Sequence, residues 1–282
     1  MPGRIDNPYD GRKMKMVKNG SVKIGNTDMY YVSFGKGPKK MVVLPGLSDG
    51  LATVKGKAFV LSQPYKKFLE DYTVYIFSRK NDMPEGYTMR QMAEDQAKAM
   101  KELGINKACV LGVSQGGMVT QYLAIDYPKM VDKLILAVTA PNANDVVTDA
   151  VSTWIDMAKN GNHTALMIDT AERMYSEKYF SKNRKFFPLL ARFTKPKNYD
   201  RFFKNAYAIL DFDAREDLKD IKCPTLIIAG EDDKTVGNEA PHLLREGILG
   251  SEIFIYEGLG HGLFEEVKDF YDRVFEFCER KQ

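Results

Sequence analysis

Short apolar runs rich in β-branched residues recur along the chain at residues 40–45, 73–78, 108–113, 134–139, 225–230 and 253–256. Runs of that length bounded by polar residues predict strands. Helical stretches lie between most of them, so the pattern predicts an α/β fold with a mostly parallel central sheet covered by helices on both faces. Residues 21–24 and 29–34 predict an opening hairpin.

Two helices are marked in detail. Thr88 opens the first with a Thr-x-x-Gln capping pattern through Gln91, Met92, Ala99, Met100 and Leu103 recur at helical spacing, and Gly104 can end it. The second runs over residues 115–127, with Val119, Tyr122 and Leu123 expected on one buried side and Pro128 as the stop. The alternation of strand and helix then lapses for about 70 residues before Cys223-Pro224. That stretch holds the only tryptophan, Trp154, and predicts several helices inserted as a lid. The expected division is a core of residues 1–140 and 214–282, with a helical lid over 141–213.

Composition narrows the function classes. Lysine and arginine total 41 against 38 acidic residues, a net charge of +3, so no global charge favours nucleic acid. Cys109, Cys223 and Cys278 are too scattered for a disulfide framework or a metal knuckle. The first 25 residues have no apolar leader core, and no run approaches the roughly 18 apolar residues of a membrane span. A cytoplasmic protein without a transmembrane segment is expected, unless a leader has already been removed.

Gly112-Val113-Ser114-Gln115-Gly116 follows an apolar run and leads into a helix. In that strand-turn-helix context GxSxG has a mechanical meaning: the turn is too sharp for side chains two residues either side of the serine, whose hydroxyl is held out beyond the sheet. A serine hydroxyl needs an adjacent base. The chain offers three histidines. His163 and His242 are expected at the surface, whereas His261 sits in Gly258-Leu259-Gly260-His261-Gly262, a loop after the last strand. The imidazole needs a carboxylate to orient it. Glu231, Asp232 and Asp233 cluster just past a strand end, and one of them is expected to face the histidine.

This order, serine then acid then histidine, resembles the α/β-hydrolase superfamily. The resemblance covers nearly the whole chain outside the 141–213 stretch, and implies an α/β-hydrolase fold with Ser114 as nucleophile and His261 as base. Its acid-loop pattern of Gly, two residues, Asp, two residues, Val falls on Gly230, Asp233 and Val236, which implies Asp233 as the acid. Asp145, after the preceding strand, is the rival position used by some members. The superfamily also implies an oxyanion hole from the backbone N–H groups of Gln115 and Leu47, although Pro45 stands where a histidine is frequent. The implied activity is a serine esterase acting on a small carboxylic ester, with no metal and no cofactor. Lactonase, thioesterase, acyltransferase and C–C bond hydrolase chemistry share the same residues, and a receptor without turnover is the reading of another class. Acyl chain, leaving group and oligomeric state are open.

Residues 173–204 carry ten lysines or arginines against Glu177 and Asp200, interleaved with nine tyrosines and phenylalanines. Such aromatics usually form the buried face that docks a lid, and such cations a solvated face. Attraction of an anionic substrate or lipid surface is the second reading, and a nucleic acid or protein partner the third.

Overall fold

The computed structural model describes residues 17–281, so the opening segment read above for a leader lies outside the described residues up to residue 16. Eight strands form one sheet: β1 (Val17–Ile24), β2 (Thr27–Phe34), β3 (Lys39–Leu44), β4 (Tyr72–Lys80), β5 (Ala108–Val113), β6 (Val131–Ala137), β7 (Thr225–Gly230) and β8 (Glu252–Tyr256). Their order across the sheet is β1-β2-β4-β3-β5-β6-β7-β8. The hairpin partners β1 and β2, and the β2–β4 pair, run antiparallel. All other neighbours are parallel.

The helices are α1 (Ala58–Ser62), α2 (Met89–Glu102), α3 (Gln115–Asp126), α4 (Asp145–Lys159), α5 (His163–Met174), α6 (Glu177–Asn183), α7 (Phe187–Thr194), α8 (Asp200–Leu210), α9 (Ala240–Gly247), α10 (Leu263–Glu266) and α11 (Phe270–Glu279). Both faces of the sheet are packed, as continuous apolar strands require. On β5, Ala108 and Val110 join the core beneath α2, α3 and α9. Cys109 and Leu111, one residue out of phase, join the opposite core with α1 and α11.

Local signals explain the helix ends. Thr88 and Gln91 form the reciprocal cap of α2: the Gln91 N–H donates to Thr88 Oγ1 at 3.2 Å and the Thr88 N–H donates to Gln91 Oε1 at 3.0 Å. Caps of this kind stabilise by about 1 kcal/mol. Gly104, at φ +68°, turns the chain out of the helix. Helix α3 departs from the sequence reading. It is buried on every side from Gln115 to Ala124 rather than along one stripe. The reason is that residues outside the expected stripe are covered by other segments: Gln115 Nε2 donates to the Asn205 carbonyl of α8 at 2.9 Å and Gln121 Nε2 to the Ala140 carbonyl at 3.0 Å.

Between β6 and β7 the chain forms only helices, α4 to α8, apart from a bridge that pairs Asn142 with Asp213 where the segment leaves and rejoins the sheet. Among the described residues no helix is long and apolar enough to cross a membrane, and no cluster of His, Cys, Asp or Glu is arranged to hold a metal.

Candidate active site

After β3 the chain moves one way across the sheet to β4, then crosses back to lay β5 on the other side of β3. The carboxyl ends of β3 and β5 therefore flank a switch point, the place in an open α/β sheet where a crevice forms. Ser114 follows β5 and the Pro45–Gly46–Leu47 turn follows β3, so the topology alone brings the two together.

Ser114 has φ 54° and ψ −123°, a conformation that costs a non-glycine residue on the order of 1–3 kcal/mol. Its neighbours hold it there. The Ser114 N–H donates to the Ala137 carbonyl at 2.9 Å, and its own carbonyl accepts from Thr139 Oγ1 at 2.8 Å and from the Gly117 N–H at 2.8 Å. The two glycines are needed as the sequence predicts: a Cβ on Gly112 would run into Thr120 Oγ1, and one on Gly116 into the Leu44 carbonyl.

His261, 4% exposed, lies on the loop after β8. Ser114 Oγ is 2.9 Å from its Nε2, and Asp233 Oδ2 is 2.8 Å from its Nδ1. An ionised carboxylate only accepts, so Nδ1 carries the proton and the neutral ring offers Nε2 as acceptor to the serine hydroxyl. Asp233 is itself fixed, its Oδ1 accepting from the backbone N–H groups of Thr235 at 2.8 Å and Val236 at 3.0 Å. Of the other carboxylates considered, Asp232 and Asp145 are exposed, Asp145 opening α4, and Glu231 accepts from the Gly258 N–H at 3.1 Å. The remaining histidines divide. His242 is exposed, but His163 is buried rather than at the surface, its ring between Tyr199 Oη at 2.8 Å and Thr194 Oγ1 at 3.3 Å. Burial, reinforced by Lys195, lowers its pKa and favours the neutral ring.

Leu47 opens the turn after β3, and Gln115 follows Ser114 directly as the first residue of α3. A Cβ built on Gly46 would stand 3.1 Å from Ser114 Cβ, so the turn before Leu47 closes directly on the serine. Among the described residues neither the Leu47 nor the Gln115 N–H has a hydrogen-bond partner, as expected where a 3₁₀ turn and a helix begin.

A polar network missed in the sequence holds this turn. Arg79, at the end of β4, donates from Nη1 to the Pro45 carbonyl at 2.7 Å and from Nη2 to Gln115 Oε1 at 3.2 Å. Burial pushes the Arg79 guanidinium down to about 10, a fall the Asp49 carboxylate partly offsets. Asp49 accepts from the Arg79 N–H at 2.9 Å and from Arg201 Nη2 at 2.6 Å. Arg201, on α8, also donates to the carbonyls of Asp49, Lys80 and Arg79 at 2.8, 2.8 and 2.9 Å. Arginine's planar fork suits this many-pronged clasp, which ties the helical segment to the loop after β3. The sequence held one signal: charged Arg79 directly follows the run 73–78 read as a strand. Arg201 itself was hidden among the cations of 173–204.

The Asp49 side chain is wholly buried. Arg201→Ala therefore strips a buried carboxylate of its main partner, and urea unfolding should show a loss of roughly 3–5 kcal/mol. A loss below about 1 kcal/mol, the range of surface pairs, would mean that Arg79 alone suffices for Asp49.

The second attachment is at the histidine loop, where the Gly262 N–H donates to the Met174 carbonyl at 2.6 Å at the end of α5. Between the attachments lies a cavity of about 290 Å³ that reaches Ser114 and His261. Its wall is mainly apolar, with Leu51, Trp154, Leu166, Met167, Phe202 and Phe264. No lysine or arginine lines it among the described residues.

Sheet order and site position together define the class of protein: an α/β-hydrolase fold. A family model described as the alpha/beta hydrolase fold matches residues 77–267, and the chain belongs to that family. RutD of Serratia proteamaculans, whose name proposes a carbamate hydrolase, is 23% identical over 255 residues, spanning 87% of this chain and 94% of its own. An alpha/beta hydrolase enzyme from a Medee basin deep-sea metagenome library superposes with a TM-score of 0.81 at 22% identity, over 93% of this chain and 98% of its own. The enol-lactonase from Burkholderia xenovorans does so with a TM-score of 0.76 at 20% identity, over 93% and 100%.

Proposed function

We propose that the chain is a serine hydrolase that cleaves a small carboxylic ester by way of an acyl-enzyme, with Ser114, His261 and Asp233 as its triad. The observation that carries the reading is the unbroken row from Ser114 Oγ through His261 to Asp233, with links of 2.9 and 2.8 Å. Ser114 Oγ attacks the ester carbonyl carbon as its proton passes to His261 Nε2, while Asp233 holds Nδ1 and stabilises the imidazolium. The Leu47 and Gln115 N–H groups, free of other partners among the described residues, receive the oxyanion. His261 then returns the proton to the leaving alkoxide. Water enters, gives its proton to His261 and releases the acid, and Ser114 regains its hydrogen.

Residues 141–213 act as a lid: α4, α5 and α8 supply Trp154, Leu166 and Phe202 to the cavity wall. The absence of a cation from that wall favours an uncharged acyl group over an anionic one, since a carboxylate in an apolar cavity without a partner would be costly to desolvate. A volume of about 290 Å³ lies at the small end of ligand pockets.

A chromogenic ester panel from acetyl to decanoyl tests both points. Acetyl to butyryl esters should be turned over, and kcat/KM for the decanoyl ester should be at least ~10-fold lower, because each methylene that the pocket cannot seat forfeits about 1 kcal/mol or more. A rising profile to decanoyl would refute the pocket size. No turnover of any ester by folded protein, with small esters still bound, would return the receptor reading.

A further inference from the structure

Helix α7 is amphipathic the wrong way round for a lid that only covers its own core. Phe187 and Ala191 face inward, and Phe187 stacks on Phe180 at 5.6 Å and on Tyr175, a cavity-wall residue, at 6.0 Å. Phe186, Leu189, Leu190 and Phe193 face solvent, at 65, 51, 47 and 81% exposure. Their spacing of i, i+3, i+4 and i+7 makes one continuous stripe. Four large apolar side chains on one exposed helical face are a binding surface by default.

The charge around the stripe chooses the occupant. Of the ten cations in residues 173–204, Arg173, Arg201 and Lys204 are paired with Asp149 and Asp169, Asp49 and Glu85. Lys178, Lys182, Arg184, Lys185, Arg192, Lys195 and Lys197 are exposed, and none has a carboxylate within ion-pair distance among the described residues. Residues 178–199 contain no Asp or Glu at all.

We propose that the outer face of α7 docks on an anionic lipid bilayer, Phe186, Leu189, Leu190 and Phe193 entering the interface while the seven cations meet the headgroups. An apolar stripe bordered by cations fits the boundary between acyl chains and anionic headgroups, which takes up both kinds of group at once. A second copy of this chain does not fit, because it would set the same unpaired cations against one another. Docking here sets the outside of a lid helix on the membrane while its inside rests on Tyr175 of the cavity wall, and it does not depend on the reaction proposed above.

The experiment is sedimentation of the full chain with vesicles of phosphatidylcholine and phosphatidylglycerol in a three-to-one ratio, against vesicles of phosphatidylcholine alone. The expected result is at least ~10-fold more protein bound to the anionic vesicles, falling as salt rises from ~0.01 M to ~0.15 M and the screening length drops from ~30 Å to ~8 Å. Two variants, Leu190→Ser with Phe193→Ser, and Lys182, Arg184 and Lys185 together to Gln, should each lose most of the binding with circular dichroism unchanged. All five positions are exposed, so neither variant removes a core contact. Absence of binding to the anionic vesicles overturns the proposal. So does retained binding in the Leu190→Ser/Phe193→Ser protein, which would mark a purely electrostatic surface for an acidic macromolecule. Dimerisation in the absence of lipid that Phe193→Ser abolishes would reassign the stripe to self-association.

Discussion

Ser114→Ala should lower ester turnover by on the order of 10⁴-fold or more at equal folded concentration, while urea unfolding shifts by less than about 1 kcal/mol. Both halves come from the geometry. Among the described residues Oγ is hydrogen-bonded to His261 Nε2 alone, so removing the oxygen removes the proposed nucleophile and leaves the proposed base facing nothing to deprotonate. The backbone scaffold is independent of that oxygen: the bonds to Ala137, Thr139 and Gly117 all use the Ser114 main chain, and alanine keeps the Cβ already tolerated at φ 54°. Burst and steady-state kinetics with a chromogenic acetyl ester make the measurement. A variant that keeps more than a tenth of wild-type turnover would exclude Ser114 as the nucleophile.

The reaching of Ser114, His261 and Asp233 toward one point was legible in the sequence because each is fixed by short-range signals. Gly112 and Gly116 exclude side chains from a turn between a strand and a helix, and the β-branched runs before Asp233 and His261 fix those loops at the same sheet edge. Strand identity was legible for the same reason, with differences at the ends: β4 extends to Lys80 and β6 begins at Val131, because neighbouring strands supply ladder partners for residues whose own polarity says little. What could not be read is what depends on contacts distant in sequence. Arg201 and Asp49 are 152 residues apart, and nothing local distinguishes that arginine from the solvated cations around it. His163 was misplaced likewise, since the tyrosine and threonine that bury it come from α7 and the start of α8. The aromatics of 173–204 divide in the same way. Phe187 and Phe202 form the expected buried face, whereas Phe186 and Phe193 point outward, a distinction that helical periodicity permits but cannot orient without the core in place.

Asp233→Asn carries the other large effect, an expected fall in kcat on the order of 10⁴-fold with little change in KM. The substitution keeps shape and volume, and its carbonyl oxygen can still accept from the Thr235 and Val236 N–H groups that hold Oδ1. Its amide nitrogen, however, then faces His261 Nδ1 where Oδ2 stood at 2.8 Å. An amide N–H only donates, so Nδ1 must become the acceptor and the ring proton moves to Nε2, pointing at Ser114 Oγ. A ring in that tautomer cannot take the serine proton, and no carboxylate remains to stabilise an imidazolium. The controls are the other carboxylates weighed for the role. Asp232 and Asp145 are exposed and neither bonds the imidazole, so Asp232→Asn and Asp145→Asn should leave kcat near wild type. Steady-state kinetics of the three variants on one neutral ester decide the matter. A severe loss in Asp145→Asn with a mild one in Asp233→Asn would place the working acid after β6 instead of β7, and would mean that the hydrogen bond between His261 and Asp233 is structural rather than part of the reaction.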